Sequence, residues 1–228
     1  MASGEHLADG TRPSRAEQRH ARTVAERLEH RYPDIGTALD YRSPWELIVA
    51  TVLSAQTTDE NVNKVVPVLM AAYPEPRDLA VADPERVEAI IFSTGFFRQK
   101  TKSIIGLAAA VDDEFGGVVP DSMADLVKLP GVGRKTASVV LAEAFDQPAI
   151  AVDTHVKRVS GRLGLTVNSD PVKIEQDLKA QVPHRHWNKL SMRIIQFGRD
   201  VCDARRPMCW ECPLEDRCPW PDKVLGPG

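Results

Sequence analysis

Apolar residues along this chain recur mostly at three- and four-residue intervals. In RAEQRHARTVAERLEH, Ala21, Val24, Ala25 and Leu28 fall on one helical face. Ser14 and Glu17 at its start form a capping-box pair. Ser43-Pro44-Trp45-Glu46 repeats the signal: an N-cap, a proline at the first helical position and a glutamate completing the box. It opens WELIVATVLSA, whose length and capped start predict a buried helix rather than a strand. Further helices are predicted over ENVNKVVPVLMAAY after a cap at Asp59, over ERVEAII after Asp83-Pro84, and over RQKTKSIIGLAAAVDDEF. DSMADLVKL, GRKTASVVLAEAF, THVKRVSGRLG, PVKIEQDLKAQV and HWNKLSMRIIQFGRD complete the helical set. Pro67 is expected to kink or end its helix, because it lacks an amide proton. Period-two alternation is nearly absent, and Ala149 to Val152 is the one plausible extended piece. The pattern predicts an all-α fold of roughly ten helices joined by short turns rich in Pro, Gly and Asp. A break between two lobes is expected near Gln147-Pro148.

A length of 228 residues suits one large domain or two small ones. Hydrophobic residues make up 43%, enough for a sizeable core. The net charge of −3 rules out a bulk positive field, so a nucleic-acid partner would need a local basic patch. No apolar run approaches the roughly eighteen residues that span a bilayer, and no membrane partner is expected. The N-terminus carries Glu5 and Asp9 and has no apolar signal core, so residues 1–15 are expected to form a disordered tail. Residues 219–228 are expected to form another loose end. All four cysteines, Cys202, Cys209, Cys212 and Cys218, fall in one short segment spaced C-x6-C-x2-C-x5-C. Disulfide frameworks usually spread cysteines over a secreted fold, so this clustering points to a single metal centre. Zinc also takes four thiolates, and the spacing differs from the bacterial ferredoxin run.

Two segments carry candidate chemistry. LPGVGRKTA, from Leu129 to Ala137, breaks a helical pattern with two glycines and resumes it with Arg134 and Lys135. Gly131 and Gly133 permit backbone angles closed to other residues and leave amides at the next helix start facing outward, where an anion could bind. A plain αα corner with a glycine cap explains the same spacing. Lys135 stands in the first turn of a helix, where the macrodipole disfavours a cation. If partly buried there, its pKa would fall, as an amine nucleophile requires. The second segment is AIAVDTHVKR. Asp153 follows an apolar run and can cap the next helix, a role that would suffice for it. Helix-start amides would also keep it ionised, able to stabilise developing positive charge. His155 could face the same pocket or be a satisfied structural group.

These segments together resemble the helix-hairpin-helix DNA glycosylases of the endonuclease III family. LPGVGRKTASVVL resembles the family's hairpin with its lysine, AVDTHVKRV its aspartate segment, LSAQTTDENVNK its pocket-side turn and CDARRPMCWECPLEDRC its iron–sulfur loop. The likeness runs from about residue 16 to 218. It implies a two-lobed fold: a six-helix barrel domain over 37–147, and an iron–sulfur domain built from residues 16–36 and 148–218. A [4Fe-4S] cluster would be held by Cys202, Cys209, Cys212 and Cys218. Duplex DNA with oxidised bases or abasic sites would be the partner, and a monomer at the bacterial nucleoid in the cytoplasm is the implied setting. Lys135 would attack the sugar of a flipped nucleotide, Asp153 would stabilise the cationic sugar, and a Schiff base followed by β-elimination would cut the strand 3′ to the abasic site. Gln56 matches the residue that enters the duplex. Phe96 stands where the family commonly has a leucine wedge, with Phe97 as the competing choice. Gly131, Gly133, Arg134, Arg205 and Arg206 would meet phosphate.

Two other functions fit part of the pattern. An adenine-mismatch glycosylase shares the hairpin, aspartate and cluster. That family usually lacks the lysine and carries a further C-terminal domain, whereas here Lys135 is present and the chain ends soon after Cys218. A non-catalytic iron–sulfur DNA-binding protein would leave Lys135 and Asp153 together as coincidence.

Overall fold

The computed structural model describes residues 6–226. Its regular structure is all helical, and no strand occurs among the described residues. The helices are α1 (Arg15–Arg31), α2 (Pro44–Leu53), α3 (Asp59–Ala72), α4 (Pro76–Ala80), α5 (Pro84–Ile91), α6 (Phe97–Phe115), α7 (Met123–Leu126), α8 (Arg134–Ala144), α9 (Thr154–Arg162), α10 (Pro171–Gln181) and α11 (Trp187–Asp200). The chain forms two compact units. One is continuous, Thr37–Gln147, and the other joins the chain up to Gly36 with the chain from Pro148 onward.

In the continuous unit, α2 is the core helix. Leu47, Ile48, Val49, Ala50 and Leu53 are completely enclosed, and α2 packs against α3, α6 and α8. Burying each large side chain is worth about 1.5–3 kcal/mol, so α2 anchors the unit although only ten residues long. Ser43 starts it as expected, its hydroxyl accepting from the Glu46 amide. The start of α3 differs by one position. Thr58, in extended backbone, is the cap and accepts from the Asn61 amide; Asp59 is the first helical residue, where its charge still suits the dipole. Pro67 does not end α3, which runs on to Ala72. Pro67 and Val68 lie on the exposed face, where water can reach the carbonyl that proline leaves unpaired four residues back. The pattern missed α4, a five-residue helix with proline in its first turn and Asp78 bonded back to the Glu75 amide.

The discontinuous unit packs α1 on α10 and α11, and α9 on α11. Its core gathers Ala21, Val24, Ala25 and Leu28 of α1 with Val156, Val159, Leu178, Ile194 and Phe197. Ala149–Val152 is buried but forms no strand, since no second strand is present to pair with it. The Ala151 amide instead donates to Ser191 Oγ at 2.8 Å. Neither tail is loose where it is described. Asp177 is a buried carboxylate that needs donors, and it takes them from the Ala8 amide, Thr166 Oγ1 and Asn168 Nδ2. This fastens residues 6–13 to α10, while residues 1–5 lie outside the described residues. At the other end, Trp220 lies under the Arg162 guanidinium and Lys223 pairs with Glu215.

Replacing Pro67 with alanine restores a helical amide on the exposed face of α3. Pro67→Ala is therefore expected to raise stability by about 1–3 kcal/mol, read as a higher urea midpoint at unchanged slope.

Candidate nucleic-acid interface and cysteine centre

In the Thr37–Gln147 unit, the hairpin runs from α7 through Leu129–Gly133 into α8. Leu129 and Val132 are buried and pin the turn from below, and the Val132 amide donates to the Leu129 carbonyl at 3.1 Å. The two glycines have different reasons. Gly131 has φ +76°, and a Cβ there would sit 3.0 Å from Ser103 Cβ and 3.5 Å from Val52 Cγ1. Gly133 lies in ordinary extended backbone at φ −84°, and a Cβ there would meet nothing within 4 Å. The expectation that both need glycine's conformational freedom therefore holds only for Gly131. At Gly133 the missing side chain clears space in front of α8, toward the outside. No side chain caps α8 and no acidic residue stands in its first turn. Its amide dipoles and the cations of Arg134 and Lys135 all favour an anion there.

Lys135 is exposed, while Ala137, Ser138 and Val140 of the same helix are buried. The expected partial burial is not found: the helix phase that sinks Ala137, Ser138 and Val140 turns Lys135 to solvent. Helix polarity still places the ammonium against the dipole, so binding an anion nearby is the compensation available to it.

Three described residues other than glycine have positive φ: Gln56 (56°), Phe96 (48°) and Asp146 (49°). Left-handed backbone is uncommon for such residues and often marks a site whose geometry is enforced by its surroundings. Gln56 is exposed between α2 and α3. Phe96 caps α6 and is 67% exposed. Phe97 is half-buried, its ring 4.9 Å from that of Phe92 and covered by Arg98. The geometry therefore separates the two phenylalanines: Phe96 projects and Phe97 packs.

In the other unit, Asp153 caps α9, its Oδ1 accepting from the Val156 amide at 2.8 Å. His155 Nδ1 lies 3.1 Å from Arg158 Nη2. A guanidinium only donates, so Nδ1 accepts and the ring proton sits on Nε2. Arg158 also donates to the Gly198 and Cys202 carbonyls, which makes it an internal tie. Sequence reasoning passed over Gly198, where α9 and α11 cross. A Cβ there would fall 3.0 Å from Arg158 Nη2 and 3.1 Å from His155 Nδ1. A lone glycine inside an amphipathic helix was the available signal.

All four cysteines are unbridged and line one cavity at the end of α11, walled by Leu163, Phe197, Val201 and Pro207. Burial pushes the Cys212 thiol up to about 11 and raises Cys218 as well. Among the described residues, no three His, Cys, Asp or Glu side chains converge closely enough to hold one metal ion. Arg162 organises the rim. Its guanidinium donates to the Asp203 and Ala204 carbonyls and lies 4.0 Å over the Trp220 ring. Asp203 Oδ1 accepts from the Arg205 and Arg206 amides, bonds that hold its carboxyl below the usual range. Both arginine side chains are left exposed. Arg162 was not singled out from sequence, because its partners are carbonyls and those leave no residue pattern.

Residues 49–184 match the family model described as HhH-GPD superfamily base excision DNA repair protein. The chain is 52% identical to endonuclease III of Synechocystis, covering 84% of this chain and 88% of that protein. It is 37% identical to endonuclease III of Escherichia coli, covering 88% and 95%. A solved non-covalent endonuclease III–DNA complex superposes with a TM-score of 0.83 at 42% identity, covering 89% of this chain and 95% of that one. The chain belongs to the HhH-GPD superfamily and, within it, to the endonuclease III family of DNA glycosylase/AP lyases of base excision repair.

The two hairpin glycines give a paired test. Gly131→Ala is expected to lower the urea midpoint by an amount worth about 1–3 kcal/mol, through strained backbone and the contact with Ser103. Gly133→Ala is expected to leave the midpoint within about 0.5 kcal/mol while weakening binding of duplex DNA.

Proposed function

We propose that this enzyme removes oxidised pyrimidines from duplex DNA and cuts the strand 3′ to the resulting abasic site through a Schiff base on Lys135. The observation that carries this reading is the start of α8: an uncapped helix end behind an open Gly133, with an exposed lysine in its first turn. The amides and Arg134 receive a backbone phosphate, which brings the sugar to the lysine without reading sequence. Nζ, having given up one proton to water, bonds to C1′ of the extruded nucleotide as the bond from C1′ to the base breaks. The bonding electrons leave with the base, which takes up a proton. The sugar ring then opens, O4′ gaining a proton as the nitrogen sheds one, and Nζ is joined to C1′ as an imine. Loss of a C2′ proton expels the 3′ phosphate, and water releases Lys135. The Asp153 carboxylate, at the start of α9, stabilises the positive charge that builds on the sugar. Gln56 and Phe96 fill the gap in the base stack, Phe96 by wedging between bases. His155, held by Arg158, lines the aspartate's surroundings.

We assign the barrel domain to residues 37–147 and the iron–sulfur domain to residues 16–36 with 148–218. Cys202, Cys209, Cys212 and Cys218 suit a [4Fe-4S] cluster. Four thiols lining one cavity at the end of α11 supply the four thiolates that such a cluster takes. Buried thiols that resist ionisation alone give up their protons when a cationic centre binds. The cluster supplies structural cross-linking of the loop, and the loop's Arg205 and Arg206 meet phosphate. The enzyme acts as a monomer at the bacterial nucleoid.

Borohydride trapping on a duplex carrying one oxidised pyrimidine tests the chemistry. Wild-type enzyme is expected to form a covalent adduct and Lys135→Gln none, with the helical circular dichroism unchanged. Asp153→Asn keeps an oxygen to cap α9 and is expected to slow base release at least about 10²-fold in single turnover. An undiminished adduct in Lys135→Gln would falsify the nucleophile assignment. Protein prepared anaerobically with ample iron is expected to be brown, with roughly four irons and four sulfides per chain. Stoichiometric zinc would instead remove the cluster from this reading.

A further inference from the structure

Gln56 and Phe96 stand on different turns. Gln56 lies between α2 and α3, and Phe96 lies just ahead of α6. Both hold left-handed backbone, a conformation that is unfavourable for a non-glycine residue and persists only where neighbours enforce it. One side chain grips both turns. Asn61 Nδ2 donates to Thr57 Oγ1 at 3.1 Å, next to Gln56, and to the Ser93 carbonyl at 2.9 Å, three residues before Phe96. Asn61 Oδ1 accepts from Ser93 Oγ at 3.1 Å. Both amide protons are thereby spent, one on each turn, and the carbonyl doubles the hold on the second. The Asn61 backbone is itself fixed, because its amide reaches Thr58 at the start of α3.

The far side of the Phe96 turn is braced separately. Lys100, 5% exposed, donates from Nζ to the Thr94 carbonyl at 2.7 Å, and Thr94 Oγ1 donates to the Ile91 carbonyl. The turn that presents Phe96 is thus clamped at Ser93 by Asn61 and at Thr94 by Lys100. Asn61 alone of these two reaches across to the Gln56 turn.

We propose that Asn61 is a positioning residue that makes Gln56 and Phe96 enter the base stack as one rigid pair. The proposal rests on the reading of those two residues as the ones that enter DNA. Two probes held in fixed relation are ordered before binding, so seating one places the other without a further entropic cost. Losing either then removes part of what the other contributes. No smaller polar side chain reproduces the hold. Serine lacks the second donor, and alanine and aspartate lack both.

The test is a double-mutant cycle for binding to a duplex bearing a tetrahydrofuran abasic-site analogue, which the enzyme cannot cleave. Dissociation constants are measured for Gln56→Ala, Phe96→Ala and their combination, with Asn61 present and in an Asn61→Ala background. With Asn61 present, the combination is expected to lose less affinity than the product of the single losses, by about threefold or more. In Asn61→Ala the losses are expected to multiply within about twofold. Thr57→Val keeps the branched shape without the hydroxyl and is expected to reduce the coupling likewise. It also carries the decision where Asn61→Ala fails to fold. Coupling that is unchanged in these backgrounds overturns the proposal and leaves the roles of Gln56 and Phe96 standing. A lower melting temperature with unchanged coupling has the same meaning: a merely architectural Asn61. Singles that bind the analogue as tightly as wild type overturn the DNA-entry reading, and the proposal with it.

Discussion

The first amides of an α-helix must find acceptors, and α8 receives none from a side chain. Helices α6 and α11 also start without a side-chain cap, but most of the others have one. Helices α1, α2, α3, α5, α7, α9 and α10 all start at a serine, threonine or aspartate whose side chain accepts from the first turn. At α8 the cap position holds glycine, and cations follow it where acids would stabilise the dipole. The hairpin's other features keep this start in place. Leu129 and Val132 sink into the core, and Gly131 turns where a side chain would collide with Ser103. At the start of α8 local stability is given up, and the fold uses buried contacts to hold that end toward the outside.

The positive residues divide by the same logic. Arg158, Arg162 and Arg193 are consumed by carbonyls inside their unit, where each joins segments far apart in sequence. Lys135, Lys157, Arg205 and Arg206 remain exposed. A chain with net charge −3 can therefore present cations locally while its acidic total limits attraction elsewhere. Composition alone cannot make this division, because an arginine donating to carbonyls and one left exposed look alike in sequence.

Elements with local causes were legible in the sequence. Ser14, Ser43 and Asp83 opened helices as their caps required, and the α1 face of Ala21, Val24, Ala25 and Leu28 became core. Gly131 was visible because its turn demands glycine, and the cysteines because all four fall in one short segment. What failed depended on tertiary context. Thr58 outcompeted Asp59 as a cap by one position, and Pro67 passed through α3 because its face is wet. Lys135 turned outward through helix phase set by its buried neighbours. The N-terminal residues docked because Asp177, distant in sequence, needed their amide. The Asn61 bridge was equally illegible, since its partners are a hydroxyl and a carbonyl on another turn.

The discontinuity of one unit has a consequence for synthesis. Thr37–Gln147 is a continuous stretch that can fold as it leaves the ribosome, whereas α1 emerges first and finds its core partners only after Pro148. At usual elongation rates about 110 residues separate the two events by roughly 5–20 s. Throughout that interval Val24 and Leu28 have no native core to enter. The arginines and glutamates on the other faces of α1 keep the nascent helix hydrated while it waits. The segment after α11, with the cysteines, packs onto the core that α1 helps to form.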